Sequence, residues 1–214
     1  MAKDRKYKKE SPSEGKFRDS RLFVVVTEGT KTEELYFQNL ASGSRRIRVL
    51  ALKAEEISHG PQFVAERIRT YENRKGINSD VEEDYPDIIW VVYDRDPQTW
   101  SEAQLAILAG ECKQNGWGWA FSNPCFEIWL LLHCHEPTEI FDKCQPVKTL
   151  TGEKSKGCYL DKAQNKKLME DIPLAIDRAA KLDTDKTNDI PAPNCTRVYQ
   201  LAQQMLDFMK LKGI

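Results

Sequence analysis

Glu28 and the pair Asp94-x-Asp96 are the residues whose types and spacing best suit chemistry. Each stands directly past an apolar run: Glu28-Gly29 follows Leu22-Phe23-Val24-Val25-Val26-Thr27, and Asp94-Arg95-Asp96 follows Ile88-Ile89-Trp90-Val91-Val92-Tyr93. β-Branched runs of this length read as strands buried on both faces of a parallel sheet. Open α/β sheets place their chemistry just beyond the carboxyl ends of such strands. Three carboxylates gathered there make a site for a hard divalent cation, and so for phosphoryl transfer.

Asp94 and Asp96 point to the same side if the backbone stays extended. Like charges that close repel unless a cation or a proton intervenes. The plain alternative is a turn, which aspartate and the Asp96-Pro97 step both favour. Glu28 suits a metal ligand or a general acid/base, and equally an ordinary solvent-facing strand end. Glu33 and Glu34 fall in the first turn of the helix that follows, where the helix dipole alone accounts for them.

A third polar segment, Ser122-Asn123-Pro124-Cys125-Phe126-Glu127, lies past a further apolar run. Asn123 is expected to cap the next helix, with Pro124 in its first position. Glu127 is an acid among apolar neighbours. An unpaired buried carboxylate is costly, so it should have a partner or face the site. His133, Cys134 and His135 with Cys125 do not match a zinc-ligand spacing, and core cysteines are the favoured reading. The chain has no Walker A loop, no GxGxxG and no GxSxG elbow.

The elements that must position these residues alternate. Strands are expected at about 22–27, 46–52 (half exposed, nearer a sheet edge), 87–93 and 117–122. Helices are expected at 32–40 with Thr32 as N-cap, at 61–74, at 100–114 with Leu105, Ile107 and Leu108 inward, and at 124–133. Strict alternation implies right-handed crossovers and a parallel sheet with helices on its faces. From 136 to 159 the chain reads as basic loop, followed by helices at about 163–181, restarting near Pro173, and 196–211. The expected organisation is a basic flexible arm (1–20), an α/β domain (21–140) and a helical C-terminal region (141–214).

With 214 residues, 32 Lys and Arg against 33 Asp and Glu, overall charge argues neither for nor against nucleic acid. The N-terminal arm is locally basic, with Lys3, Arg5, Lys6, Lys8, Lys9, Lys16, Arg18 and Arg21. It would add salt-dependent affinity for a polyanion, or serve only as a solvated tail. No signal peptide or membrane-spanning run is legible, so a cytoplasmic protein that does not enter the membrane is expected, with its 6 cysteines mostly reduced.

Val26-Thr27-Glu28-Gly29-Thr30-Lys31-Thr32-Glu33, then Tyr93-Asp94-Arg95-Asp96, then Asn123-Pro124-Cys125-Phe126-Glu127-Ile128-Trp129-Leu130-Leu131-Leu132-His133 together resemble the RloB family. Asn194-Cys195-Thr196-Arg197-Val198-Tyr199 is a weaker match towards the C-terminus. The resemblance implies a Toprim-like (Rossmann-like) α/β fold: a four-stranded parallel sheet flanked by helices, with a helical C-terminal cap. It implies that Glu28 matches the Toprim glutamate and that Asp94 and Asp96 match its metal-binding acids. It further implies a Mg²⁺- or Mn²⁺-dependent nuclease related to OLD-type enzymes, acting on DNA or RNA (tRNA among the candidates). The setting implied is bacterial anti-phage defence beside an RloA-like ATPase.

OLD-type nucleases carry a second acid four residues after the first. Here that position is Thr32, which leaves the choice between Glu33 and Glu34 open. The family's lysine has candidates in Lys31, Lys154, Lys156, Lys162 and Lys166. Glu127 and Asn123 are candidate supporting residues. The basic stretch Lys148, Lys154, Lys156, Lys162, Lys166 and Lys167 is a candidate nucleic-acid surface, or a solvated face. A contrasting reading is a non-catalytic sensor or adaptor subunit that keeps the scaffold and binds the ATPase or nucleic acid. The oligomeric state is not legible.

Overall fold

A computed structural model describes residues 20–28, 31–52, 60–78, 86–95, 100–152 and 165–210. The N-terminal arm (1–19), Gly29, Asp96, Lys154, Lys156 and Lys162 lie outside them. Four strands, β1 (Arg21–Thr27), β2 (Ile47–Leu52), β3 (Ile88–Asp94) and β4 (Gly118–Ser122), form one parallel sheet in the order β2-β1-β3-β4. The two long apolar runs become the two central strands, because only central strands are covered on both faces. The alternating run becomes an edge.

Residues 23 and 25 of β1 face one core with Val92 of β3, whereas Val26, Val91 and Tyr93 face another. The first core is closed by α1 (Thr32–Ser42), α4 (Glu127–Cys134), α5 (Cys144–Gly152), α6 (Asn165–Glu170), α7 (Ile172–Leu182) and α8 (Val198–Lys210). The second is closed by α2 (Val64–Asn78), entered through a 3₁₀ turn at Pro61–Phe63, and by α3 (Glu102–Asn115). This is the α/β arrangement expected, a four-stranded parallel sheet with helices on both faces. It is compatible with a Toprim-like arrangement. Among the described residues no helix is long and apolar enough to cross a membrane.

Trp90 and Gly118 are cross-strand partners. The Trp90 indole lies so close over the Gly118 backbone that an added Cβ would sit 2.2 Å from it. Glycine is therefore needed at the start of β4 to let the ring lie flat. The Trp90 Nε1–H donates to Gln204 of α8 at 2.8 Å, which ties the last helix to the sheet.

Several local expectations need correction. Thr32 is the first helical residue rather than the cap; Lys31 precedes it and contributes no side-chain cap. The third helix starts later than Trp100, at Glu102, because Ser101 and Gln104 form a reciprocal capping box. Ile107 faces solvent, 67% exposed, since Leu105, Leu108 and Cys112 already define the inward stripe. Asn123 does not cap α4. Phe126 immediately precedes the helix, and the Asn123 amide instead donates to Pro191 O at 2.8 Å. The stretch read as loop contains α5, whose Val147 and Thr151 pack inward while most of its residues stay exposed. One inward turn in a polar segment is too weak a periodicity to mark a helix.

Candidate acidic site

Asp94 is the last residue of β3 and pairs in register with Ser122 of β4. Glu28 follows the last residue of β1. Glu33 enters from the first turn of α1 and Glu127 from the first turn of α4. The carboxyl ends of the strands and the N-termini of two helices thus deliver acids to one place. The helix dipoles favour negative charge there, which makes the concentration of acids tolerable.

Tolerable is not comfortable. Burial, then the neighbouring charges of Glu33, Glu28 and Glu127, push the Asp94 carboxyl well above the usual carboxylate range. Burial likewise raises Glu33, with Glu127 and Glu28 adding to it. Asp94 Oδ1 is buried and has no hydrogen-bond partner among the described residues. Such an atom is expensive to keep without a partner.

Glu33 and Glu34 separate cleanly. Glu33 is 8% exposed and joins the cluster, whereas Glu34 accepts a hydrogen bond from Gln38 one turn along the helix surface. The spacing of five from Glu28, rather than four, is therefore the one that brings an acid inward. Glu127 is mostly buried, and the Lys148 ammonium of α5 stands 3.9 Å from its Oε1. Burial opposes the charge on Lys148, but Glu127, Cys125, Cys144 and Asp94 together outweigh it and hold its pKa above the ordinary value. Lys31, Lys148 and Glu127 line a cleft of about 360 Å³ with Thr32, Leu35 and Thr151. Asn123 lies deeper, buried as part of the joint described next. Lys166 and Lys167 fall in α6.

Glu28 belongs to the other flank of the strand ends. Its Oε1 accepts from Trp100 Nε1 at 2.6 Å. Arg67 of α2 reaches over the ends of β1 and β2, donating from Nη1 to Thr27 O at 3.1 Å and Leu52 O at 3.4 Å. Arg67 was accessible to sequence reasoning: with Val64 and Ile68 inward, a residue at position 67 falls on the same face of the helix. Trp100 carried no such signal.

The C-terminal motif holds the site from behind. Thr196 Oγ1 hydrogen-bonds Ser122 Oγ at 2.9 Å, Asn123 N–H donates to Cys195 O, and Arg197 N–H donates to Phe121 O. Arg197 pairs with buried Asp183, which also accepts from Tyr199. Asn194, at a φ of 64°, bonds the backbone of Phe141 and Glu139. Its residues therefore clamp the end of β4, next to Asp94, without contributing an acid. His133 is structural as well. It is buried, hydrogen-bonds Tyr36 Oη at 3.1 Å and Trp129 O at 2.8 Å, and burial lowers its pKa to about 4.

Among the described residues no three His, Cys, Asp or Glu stand close enough together to make a formed metal site. The donor set nevertheless fits a hard cation. It is all carboxylate oxygen, one of those oxygens is buried without a hydrogen-bond partner, and the charges raise each other's proton affinity as a bound cation would relieve.

No curated protein and no solved structure matches the chain. A family model described as "RloB-like protein" matches residues 23–205, from the first strand through the last helix. That span takes in the strand-end acids, the Asn123–His133 segment and the C-terminal clamp, and the chain belongs to the RloB-like protein family.

Proposed function

We propose that this protein is a divalent-metal-dependent nuclease that hydrolyses phosphodiester bonds of DNA or RNA, tRNA being one candidate. It would act in bacterial anti-phage defence together with an RloA-like ATPase. The observation that carries the chemical part is the convergence of Glu28, Glu33, Asp94 and Glu127 on the strand ends, with Asp94 destabilised as an anion. A purely structural cluster would gain stability by losing one of these acids. Their coexistence is explained by a cation.

Asp94, Glu28 and Asp96 are the residues to hold Mg²⁺ or Mn²⁺, with Glu33 and Glu127 beside them. The chemistry a cation would supply there is polarisation of the phosphate and stabilisation of the leaving oxygen. Glu28, oriented by the Trp100 N–H, is alternatively placed to take the proton of an attacking water. Lys148, on the wall of the cleft and charged by its acidic neighbours, suits the family's lysine and would donate to a phosphate oxygen. Lys31 lines the same cleft.

The test offers plasmid, single-stranded DNA and tRNA with Mg²⁺ or Mn²⁺, to the protein alone and with a neighbouring ATPase. Cleavage is expected to vanish in Asp94→Ala and Glu28→Ala; cleavage that persists unchanged in both would sink the proposal. Full defence in those variants, together with no affinity for Mn²⁺, would replace it with the adaptor reading.

A further inference from the structure

The flank that carries Glu28, across the strand ends from Glu33 and Glu127, contains polar atoms that the nuclease reading does not use. Tyr93 is 1% exposed, and its hydroxyl has no hydrogen-bond partner among the described residues. Arg67 Nε and Nη2 are buried in the same condition. The two side chains lie on the same face of the sheet. Tyr93 follows Val92, the register partner of Thr27, and Thr27 O is one of the carbonyls that hold Arg67 Nη1. Burial is the largest influence on both groups, lowering the pKa of Arg67 and raising that of Tyr93, and each also senses the other.

Buried polar atoms in native proteins are almost always satisfied. A guanidinium fixed by one nitrogen and open at two others, beside an open hydroxyl, presents N–H and O–H donors and a positive charge. The complementary partner is an oxyanion. The location narrows it further, because these donors border Glu28 at the carboxyl ends of the central strands.

We infer that Arg67 and Tyr93 form an oxyanion subsite that takes a phosphate oxygen of the bound nucleic-acid strand, on the side of Glu28 away from Glu33, Glu127 and Lys148. The inference rests on the phosphodiester reading only for the source of the phosphate. A strand so held would be fixed on both sides of the strand ends, by Lys148 across the acid cluster and by Arg67 here. Arg67 would then be a binding residue, with its Nη1 contacts serving to aim the remaining nitrogens.

The test is metal-free binding by the full chain in EDTA. Inorganic phosphate is titrated by ³¹P NMR, and a short fluorescent single-stranded oligonucleotide by anisotropy. Wild type is expected to bind the oligonucleotide saturably. Tyr93→Phe should weaken it about three- to tenfold and Arg67→Lys about tenfold or more, as expected for losing donors to a charged acceptor. Tyr93→Phe decides the matter should Arg67→Lys lose its fold, since it deletes one oxygen that makes no hydrogen bond among the described residues. A response of inorganic phosphate alone assigns the site to a free anion and overturns the strand-binding claim. Wild-type affinity for both probes in Tyr93→Phe, or no binding of either probe to wild type, overturns the subsite altogether. Arg67-dependent binding without cleavage in Mn²⁺, even with the neighbouring ATPase present, would remove the nuclease reading and leave the subsite. Normal cleavage in both variants with unaltered binding would do the reverse.

Discussion

The two flanks of the strand ends solve opposite electrostatic problems. On the α1/α4 flank, Asp94, Glu33 and Glu127 crowd negative charge into a partly buried space, with Lys148 as the nearby cation. On the α2/α3 flank, the half-buried Arg67 lies over the ends of β1 and β2, and Trp100 fixes Glu28 by one hydrogen bond. The first flank stores repulsion that a cation relieves; the second stores unsatisfied donors that an anion relieves. A substrate that is an anion, cleaved with the help of a cation, needs both. The proposed centre is therefore not one cluster. It is two half-sites divided by the plane of the sheet, and their side chains alternate across that plane because a strand turns successive residues to opposite faces.

The sharpest way to break this comparison is Asp94→Asn. Cleavage is expected to fall by about 10³-fold or more, as for removal of a central group that stabilises transition-state charge. In EDTA the same variant should be more stable than wild type. A carboxyl whose folded pKa is raised binds more protons in the native state than in the unfolded one. Its contribution is complete below the unfolded value of 3.8 and is lost as pH rises through the folded value, so above that window the buried carboxyl is a cost that Asn lacks. Thermal melts should show Asp94→Asn higher by a few degrees, with Mn²⁺ raising wild type and not the variant.

Within the acid flank, Glu33→Gln is expected to lower cleavage by about 10- to 100-fold, the range seen when a group supporting a metal site is altered. Glu34→Gln, on the outer surface of the same turn, should stay within about twofold. Equal effects from the two would mean that the inward position of Glu33 has no functional consequence.

On the arginine flank, Trp100→Phe keeps the ring and removes the N–H that holds Glu28. Losing one hydrogen bond to a charged acceptor is worth about 1.5–3 kcal/mol, so activity should drop by about 10- to 100-fold, with little change in Mn²⁺ affinity if Glu28 acts as the base. A parallel loss of Mn²⁺ affinity would instead make Glu28 chiefly a ligand.

Acid stability depends on the far end of α4. His133 is held neutral by burial, with a pKa of about 4 against 6.5 for an ordinary histidine. The unfolded chain takes up a proton below 6.5 that the native protein refuses until about 4, so stability falls as pH drops through that window, by up to about 3 kcal/mol. Denaturant titrations should show this slope flattened in His133→Gln. The acid cluster gives the opposite slope.

Legibility followed the strength of the local signal. Phe23 to Val26 and Trp90 to Tyr93 could be read as central strands because no other element explains so many consecutive buried β-branched and aromatic residues. The capping box at Ser101 was legible in principle, since Ser and Gln stand three apart, whereas α5 was not, since its inward face is two residues wide. Asn123 misled for a clear reason: its type fits a cap, but the C-terminal segment returns to claim its amide. No local pattern encodes a partner 68 residues away.

The sequence by itself placed acids at the strand ends. It named Glu28 and Asp94, and it left Glu33 and Glu34 as a pair, because acids after apolar runs mark the mouth of a parallel sheet whatever the rest of the chain does. Only the tertiary structure decided which acid of that pair turns inward. It also brought Lys148 from a helix that sequence periodicity does not reveal and set Arg67 over carbonyls of two different strands. It made the C-terminal motif a clamp rather than a ligand. These are contacts between residues far apart in the chain, fixed by how the helices cover the two faces of the sheet, and such contacts have no period for a sequence to display.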